Sequence, residues 1–195
     1  MWQITETEEE LTQLSATPSD EMEEISFIQS ESLRKQRLAV RALLNNLFDE
    51  KVYLSHHDNG KPYLENNPVN ISITHTQKYV AVILHEDEDC GIDIESLDRD
   101  FSAVEKKALS EDEIEDLDDE KRNEQLAIYW YAKEAVFKLL SRYSVDFAEQ
   151  IEIDDFRLRG EGELDATFTD KDGYEEELQL EYIIFDRHVL VWVVG

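Results

Sequence analysis

The chain has 195 residues, and its 47 Asp and Glu against 19 Lys and Arg give a formal net charge of −28. This excess of negative charge excludes nucleic-acid binding, which depends on cations that neutralise phosphates, and it disfavours attachment to an anionic membrane. Hydrophobic residues make up 41% of the chain and aromatic residues 10%, which is enough for a packed core and excludes a disordered acidic chain. The length allows one domain or two small halves.

The single cysteine, Cys90, cannot form an internal disulfide, which predicts a reducing compartment. We expect it to pack in the core, because nothing around it marks a nucleophile. The first ten residues lack the basic start and the apolar run of a secretory signal, and no apolar stretch approaches the ~20 residues that a membrane-spanning helix needs. These features together predict a cytoplasmic protein.

The predicted elements of the first half are one helix and several short extended segments. In chain order they are a strand at 2–4, an acidic segment to about residue 24, a helix at 31–48, and extended segments at 52–54, 63–64, 69–73, 79–84 and 90–95. The helix is predicted from apolar residues that recur at helical spacing.

The second half repeats this mixture of elements over a longer stretch. In chain order it has a helical region from about residue 101, the acidic decade 111–120, a strong helix at 123–143, and strands at 151–158, 163–168, 174–185 and 188–194. The acidic decade lacks the spaced ligands and the glycine of a calcium loop, so we expect a solvated helix or loop. Both halves combine helices with antiparallel strands, which predicts an α+β fold, although no sequence repeat relates them.

The segment Gly-Ile-Asp-Ile-Glu at 91–95 is the first candidate site. In a strand, Ile92 and Ile94 face the core while Asp93 and Glu95 share the opposite face. Two carboxylates on one face repel each other unless a cation lies between them, and Mg²⁺ commonly uses one or two protein carboxylates together with phosphate oxygens. The alternative is an ordinary half-exposed strand with solvated acids, which this motif alone favours.

The strong helix carries the second candidate site. Trp130, Glu134 and Lys138 form one stripe along it, at positions i, i+4 and i+8. Glu134 and Lys138 are consistent with a helix-stabilising ion pair of only ~0.2–0.5 kcal/mol. The sharper interpretation makes Glu134 a metal ligand or a base, and Lys138 a positive charge that counters phosphate.

Two further segments and one charged region suit an anionic ligand. Thr74, His75 and Thr76 follow one another where a predicted strand ends, and all can donate hydrogen bonds, although a tight turn also explains them. Gly60-Lys61-Pro62 holds a lysine at a defined position, or simply marks a turn. Residues 31–61 contain six basic and four acidic residues, a net charge of +2 that indicates a specific anionic ligand. The six basic residues are Arg34, Lys35, Arg37, Arg41, Lys51 and Lys61.

In this order, these segments resemble the motifs of the 4′-phosphopantetheinyl transferase superfamily. The matching elements are Gly60-Lys61-Pro62, the segments 71–76 and 91–95, and the run Trp-x-x-Lys-Glu-Ala-x-x-Lys at 130–138, of which the last two are the specific ones. The resemblance implies a magnesium-dependent enzyme with holo-(acyl-carrier-protein) synthase activity. Such an enzyme transfers the phosphopantetheine arm of coenzyme A to a serine of an apo carrier protein, in fatty-acid, polyketide or peptide synthesis, and releases adenosine 3′,5′-bisphosphate.

The same resemblance implies roles for individual residues. By role they are Asp93, Glu95 and Glu134 for Mg²⁺; Lys61, Thr74 and His75, with Arg34 or Arg41, for the nucleotide phosphates; and Lys133 and Lys138 for the pyrophosphate. Glu134 or a metal-bound water would help to deprotonate the carrier serine. Lys138 would stabilise or protonate the departing phosphate.

About 90 residues precede the aspartate motif, which makes the chain similar to the longer, surfactin-synthetase-activating type of the superfamily. That type implies two similar α+β halves in a pseudo-twofold arrangement. Here they would be 1–90, with the coenzyme A phosphate contacts, and 91–195, with the magnesium and catalytic motifs. The active-site cleft would lie between the halves of a monomer. The alternative is a catalytically inactive coenzyme A- or carrier-binding module, or an acidic interaction module, on the same scaffold.

Overall fold

The computed structural model describes residues 1–141 and 144–195. Residues 142 and 143 lie outside the described residues, and with them the end of the helix predicted at 123–143. Helices and antiparallel sheets alternate over the described residues, which confirms the predicted α+β class.

The first half holds a long helix, two short helices and the strands of a small sheet and a hairpin. In chain order the elements are β1 (Trp2–Gln3), α1 (Glu8–Ser15), α2 (Ser19–Ser26), α3 (Glu31–Leu47), β2 (Leu54–His56), β3 (Pro62–Leu64), β4 (Asn70–His75) and β5 (Tyr79–His85).

The second half is built around its longest helix and a larger sheet. In chain order the elements are β6 (Cys90–Ser96), α4 (Ser102–Ala108), α5 (Glu111–Glu115), α6 (Arg122–Leu140), α7 (Phe147–Gln150), β7 (Ile151–Ile153), β8 (Glu161–Thr169), β9 (Glu175–Phe185) and β10 (His188–Val194).

Strand order relates the two halves. The sheet of the first half has the order β1-β5-β4, and that of the second has the order β6-β10-β9-β8-β7. In each half, the first strand pairs with the last strand, and the last strand pairs with the one before it. The long helix packs on this unit in both, α3 against β5 and α6 against β6 and β10. This repeated order agrees with two similar halves, whereas the pseudo-twofold arrangement and the boundary at residue 90 stay predictions.

Each half has its own hydrophobic core. The first core includes Leu38 of α3 and Val80 of β5, and the second includes Ala135 of α6 and Val191 of β10. Along β6 the predicted alternation is confirmed. Ile92 and Ile94 are buried, whereas Asp93 and Glu95 are half-buried.

Helices α1 and α2 occupy the acidic segment for which the sequence patterns above predict no helix. The start of α1 is defined by a capping box, in which the Glu10 N–H donates to Thr7 Oγ1 and the Thr7 N–H donates to the Glu10 carboxylate. A Thr-x-x-Glu spacing is readable from sequence, so this capping box is the signal that could have placed α1.

A second capping box, formed by Ser110 and Glu113, starts α5 within the acidic decade. Glu113 is only 1% exposed. The prediction of a solvated helix or loop is therefore wrong for this one acid, because its carboxylate has buried partners that are distant in sequence.

Hydroxyl groups of β4 join the two halves. Ser72 Oγ accepts a hydrogen bond of 3.2 Å from the Ile92 N–H, and Thr74 Oγ1 accepts one of 3.1 Å from the Ile94 N–H. The N–H groups on this edge of β6 face away from β10 and are satisfied by side chains of the other half. Strands β4 and β6 are thereby held side by side.

Within residues 1–141 and 144–195, none of the helices combines the length and the apolar character that crossing a membrane requires.

Candidate active site

The ion pair of Asp93 and Lys138 lies where the two halves meet. Lys138 Nζ is 2.7 Å from Asp93 Oδ1, and the side chains are 28% and 13% exposed. The same ammonium donates to the Ile92 carbonyl at 2.8 Å. Thr74 Oγ1 donates to Asp93 Oδ1 at 2.9 Å. One carboxylate therefore connects strand β4, strand β6 and helix α6.

Two further carboxylates lie beside this pair. Glu134 is half-buried on α6, one turn before Lys138. Burial raises the pKa of Glu134, the negative charge of Asp93 raises it further, and Lys138 opposes both effects. Glu95 follows Asp93 on the same face of β6 and forms an ion pair of 2.6 Å with Arg99. Each carboxylate of β6 thus has a cationic partner.

Carboxylate oxygens are the ligands that a hard divalent cation prefers, so this donor set suits Mg²⁺. Across the described parts of the chain, no three acidic, histidine or cysteine side chains are already gathered into a metal site. The ion pairs of Asp93 with Lys138 and of Glu95 with Arg99 supply the compensating charge instead. Asp93, Glu95 and Glu134 therefore fit a divalent cation, whose charge would replace that of Lys138 and Arg99.

A cavity of about 550 Å³ opens between α3, the β2–β3 hairpin and the end of β4. Its charged and imidazole lining residues are Arg37, Arg41, Lys51, His56 and His75, together with the three acids Glu21, Glu24 and Glu65. Burial lowers the pKa of both histidines, and the nearby positive charge of Arg37 lowers it further in each. Arg41 pairs with Glu21, whereas Arg37 and Lys51 form no ion pair among the described residues, so these two cations and the imidazoles are the groups that suit an anion such as phosphate.

A smaller cavity of about 280 Å³ adjoins the first, with Gly60, Pro62 and Ile73 lining both. Lys61 and Lys138 lie in its wall. Lys61 forms an ion pair with Asp89, which precedes β6. The smaller cavity therefore lies between the larger one, with which it shares three lining residues, and the ion pair of Lys138 with Asp93.

Residues 89–190 match the family model of the 4′-phosphopantetheinyl transferase superfamily. The match covers just over half of the chain and includes Asp93, Glu95, Glu134 and Lys138. The chain belongs to this superfamily. No individual curated protein matches it. Membership indicates a phosphopantetheinyl transferase, and it brings no assignment for the cavity residues before position 89.

The structure places Lys133 of this transferase in the core, away from both cavities. Its side chain is fully buried, and Nζ is 2.7 Å from Glu113 Oε2 and 2.9 Å from the Phe147 carbonyl. Glu113 Oε1 accepts a further hydrogen bond from the Ile153 N–H. Lys133 therefore ties α6 to α5, α7 and β7 on the side of the helix remote from Lys138.

Three of the predicted phosphate contacts are also placed differently by the fold. Arg34 forms a bidentate pair with Glu8 at 2.7 and 2.9 Å, and it is not in the wall of the cavity. Arg41 lines the cavity, but its guanidinium pairs with Glu21 and donates to the Leu54 carbonyl. The Thr74 hydroxyl proton is already donated to Asp93, so Thr74 positions that carboxylate.

His75 is the predicted phosphate contact that the structure places with its side chain open to the larger cavity. The cavity also contains residues that the sequence reasoning did not assign to the site: Arg37, Lys51 and His56. Arg37 and Lys51 belong to the basic region that was recognised in the sequence. His56 carried no signal of its own, because only the hairpin brings it opposite α3.

Cys90 is buried and free, as predicted. Burial raises the pKa of its thiol to about 11. A thiol with such a pKa is a poor nucleophile near neutral pH, which agrees with a packing role.

Proposed function

We propose that this protein transfers the 4′-phosphopantetheine arm of coenzyme A to a serine of an apo acyl or peptidyl carrier protein, releasing adenosine 3′,5′-bisphosphate. The ion pair of Asp93 and Lys138 carries the proposal. It unites the two specific motifs at one point, and Lys138 of this pair lies in the wall of the smaller cavity.

The larger cavity would receive the nucleotide end of coenzyme A. Arg37 in its wall would supply a positive charge for the phosphate groups of that end, and His75 would supply a hydrogen-bonding group. Lys61 and Lys138 in the adjoining cavity would face the pyrophosphate. The acidity of the whole chain does not oppose this placement, because charges beyond ~8 Å are largely screened at physiological salt.

Asp93, Glu95 and Glu134 would hold Mg²⁺. When bound, this ion supplies charge neutralisation for the pyrophosphate and for the oxygen that leaves with the nucleotide. Lys138, released from Asp93, would keep its ammonium near the same oxygens.

The reaction needs one proton acceptor and one stabilised leaving group. A bond forms between the serine oxygen and the phosphorus that bears the pantetheine arm, and the bond from that phosphorus to the bridging oxygen breaks. Glu134 would take the serine proton through the carboxylate oxygen that does not hold the cation. Lys138 would stabilise the departing oxygen by charge and by hydrogen bonding.

The order of strands in the two halves supports the longer, surfactin-synthetase-activating type. Acids, lysines and cavities all come from one chain, so a monomer would contain a complete site. The free, buried Cys90 suits a reducing compartment, which supports a cytoplasmic location.

Incubation with coenzyme A, Mg²⁺ and a panel of apo carriers, followed by mass spectrometry of the carriers, tests the proposal. We expect one phosphopantetheine on one serine of at least one carrier. Asp93→Asn should abolish the mass gain. Asp98→Asn is the matched control, because Asp98 is exposed and pairs with Arg187 outside the site.

A different result would separate the enzyme from a binding module. If calorimetry shows coenzyme A binding but no carrier gains mass, the chain is a coenzyme A-binding protein without turnover. If coenzyme A does not bind at all, the assignment of the cavity is wrong as well.

A further inference from the structure

Tyr131 has an unpaired hydroxyl in the interior of the protein. The residue is fully buried on α6, and within residues 1–141 and 144–195 its Oη has no hydrogen-bond partner. A buried hydroxyl without a partner destabilises the fold, and natural proteins contain few of them. A phenylalanine would occupy the same space without this penalty.

Tyr131 lies on the same face of α6 as the charged groups of the site. Tyr131 precedes Glu134 by three positions and Lys138 by seven, so all three lie on the face of α6 that packs on β6. Its ring packs edge-to-face on Phe101 at 5.5 Å, and the Arg99 guanidinium lies 5.7 Å from the same Phe101 ring. Arg99 in turn pairs with Glu95.

Electrostatics agrees with this placement. Burial raises the pKa of Tyr131, and the negative charges of Glu95, Asp93 and Glu134 raise it further, while Arg99 opposes them. The three carboxylates that would hold the cation therefore all act on the phenol oxygen.

We propose that Tyr131 is a positioning residue whose hydroxyl makes its hydrogen bond only when a divalent cation is held between Asp93, Glu95 and Glu134. This inference rests on the proposed function. A phenol can donate and accept, so it can pair with a ligand carboxylate or with a water that Mg²⁺ retains. The hydroxyl would then gain its hydrogen bond when the cation binds, which explains why a tyrosine stands at this position.

Tyr131→Phe tests this by two measurements, neither of which is activity. In the metal-free protein, the melting temperature of Tyr131→Phe should equal or exceed that of the parent chain, because no hydrogen bond is lost. With coenzyme A present, calorimetric titration with Mg²⁺ should show an affinity lower by roughly tenfold or more, as is typical when a group supporting metal ligands is removed.

Tyr129→Phe is the matched control. Tyr129 is buried on the same helix. Burial raises the pKa of its hydroxyl, and the acids that raise it further, Glu113 among them, lie outside the site. Its removal should leave the Mg²⁺ affinity unchanged. An equal loss in both variants would overturn the inference, because it would reflect a general change in the helix.

Three other results would also overturn the inference. A lower melting temperature of metal-free Tyr131→Phe would show that the hydroxyl already has a partner. An unchanged Mg²⁺ affinity would show that it makes no contact in the loaded site, while the proposed function would stand. If the parent chain binds no Mg²⁺ and transfers no phosphopantetheine, the proposed function fails and the role of Tyr131 fails with it.

Discussion

Gly91 and Ala135 bring strand β6 and helix α6 into direct backbone contact. A Cβ atom added to Gly91 would lie 1.9 Å from the Ala135 carbonyl oxygen and 2.9 Å from the Leu139 nitrogen. Only glycine permits this approach. The glycine of one motif and the alanine of the other thereby hold Asp93 within reach of Lys138.

Gly91→Ala should therefore damage both stability and activity. Its methyl group meets backbone, which cannot move aside as a side chain can, so we expect a loss of about 3 kcal/mol in the free energy of unfolding. The shift of α6 should also lower transfer in the fraction that remains folded. Urea unfolding and the carrier assay measure the two effects.

Gly160→Ala is the control for this substitution. A Cβ at Gly160 would meet no atom within 4 Å. Its stability should stay within about 0.5 kcal/mol of the parent chain. Equal stability of the two variants would contradict the close packing of β6 on α6.

Arg37 and Arg34 belong to the same basic region, but only Arg37 lines the larger cavity, so substituting each of them tests the role of that cavity. Arg37 is exposed in the cavity wall and, across residues 1–141 and 144–195, forms no ion pair. Arg37→Gln should raise the KM for coenzyme A roughly tenfold, equivalent to ~1.4 kcal/mol, and leave kcat nearly unchanged, since the contact is remote from the reacting atoms. Arg34→Gln should leave the KM unchanged, because Arg34 is paired with Glu8. A raised KM in Arg34→Gln together with an unchanged KM in Arg37→Gln would show that the nucleotide binds near Arg34 and not in the cavity.

The titration of Glu134 should limit activity at acid pH. In the metal-free protein the pKa of Glu134 is raised above the ordinary 4.5, so the carboxylate form that would hold Mg²⁺ is lost at a higher pH than for an exposed glutamate. Mg²⁺ affinity, and transfer at limiting Mg²⁺, should therefore fall as pH decreases. Carboxyl NMR on the metal-free protein should show a lower Glu134 pKa in Asp93→Asn and a higher one in Lys138→Met.

The same shift has a consequence for stability. Between pH 4.5 and the raised pKa, the folded protein binds more protons at Glu134 than the unfolded chain does, so its stability decreases as pH rises through this window. Glu134→Gln should therefore be at least as stable as the parent chain at pH 7. A lower stability would show that the charged carboxylate is favourably paired.

Lys133 should matter for the fold more than for the reaction. Removing one member of a fully buried ion pair leaves the other charge uncompensated, so Lys133→Met should lower the free energy of unfolding by about 3–5 kcal/mol. Adding Glu113→Gln should recover part of this loss. At a temperature where Lys133→Met is folded, its KM for coenzyme A should be unchanged. A raised KM of Lys133→Met at that temperature would show that Lys133 does contact the pyrophosphate.

Local patterns predicted most of the secondary structure. Helix α3 and strand β6 lie within two residues of their predicted bounds, because apolar periodicity is a property of neighbouring residues. The predicted strand at 151–158 is shorter than expected, since β7 ends at Ile153. Pairing with β8 sets its length, and that pairing depends on residues distant in sequence.

The partners of the cations could not be predicted in the same way. Arg34 pairs with Glu8, 26 positions away, and Lys138 pairs with Asp93, 45 positions away. With 47 acidic residues available, the sequence alone offers no means of choosing among possible partners. Only the tertiary structure shows that Arg37 lines the larger cavity and that Arg34 does not.

The net charge of the sequence by itself excluded nucleic-acid binding. Its motifs by themselves assigned Asp93, Glu134 and Lys138 to one predicted active site. The tertiary structure alone decided which lysine of the motif lies beside Asp93. Lys133 and Lys138 are five positions apart, so they point about 140° away from each other around α6. Glu134 and Lys138 are about 40° apart and share a face. Because β6 packs on that face, Lys138 lies at the junction of the halves and Lys133 lies in the core.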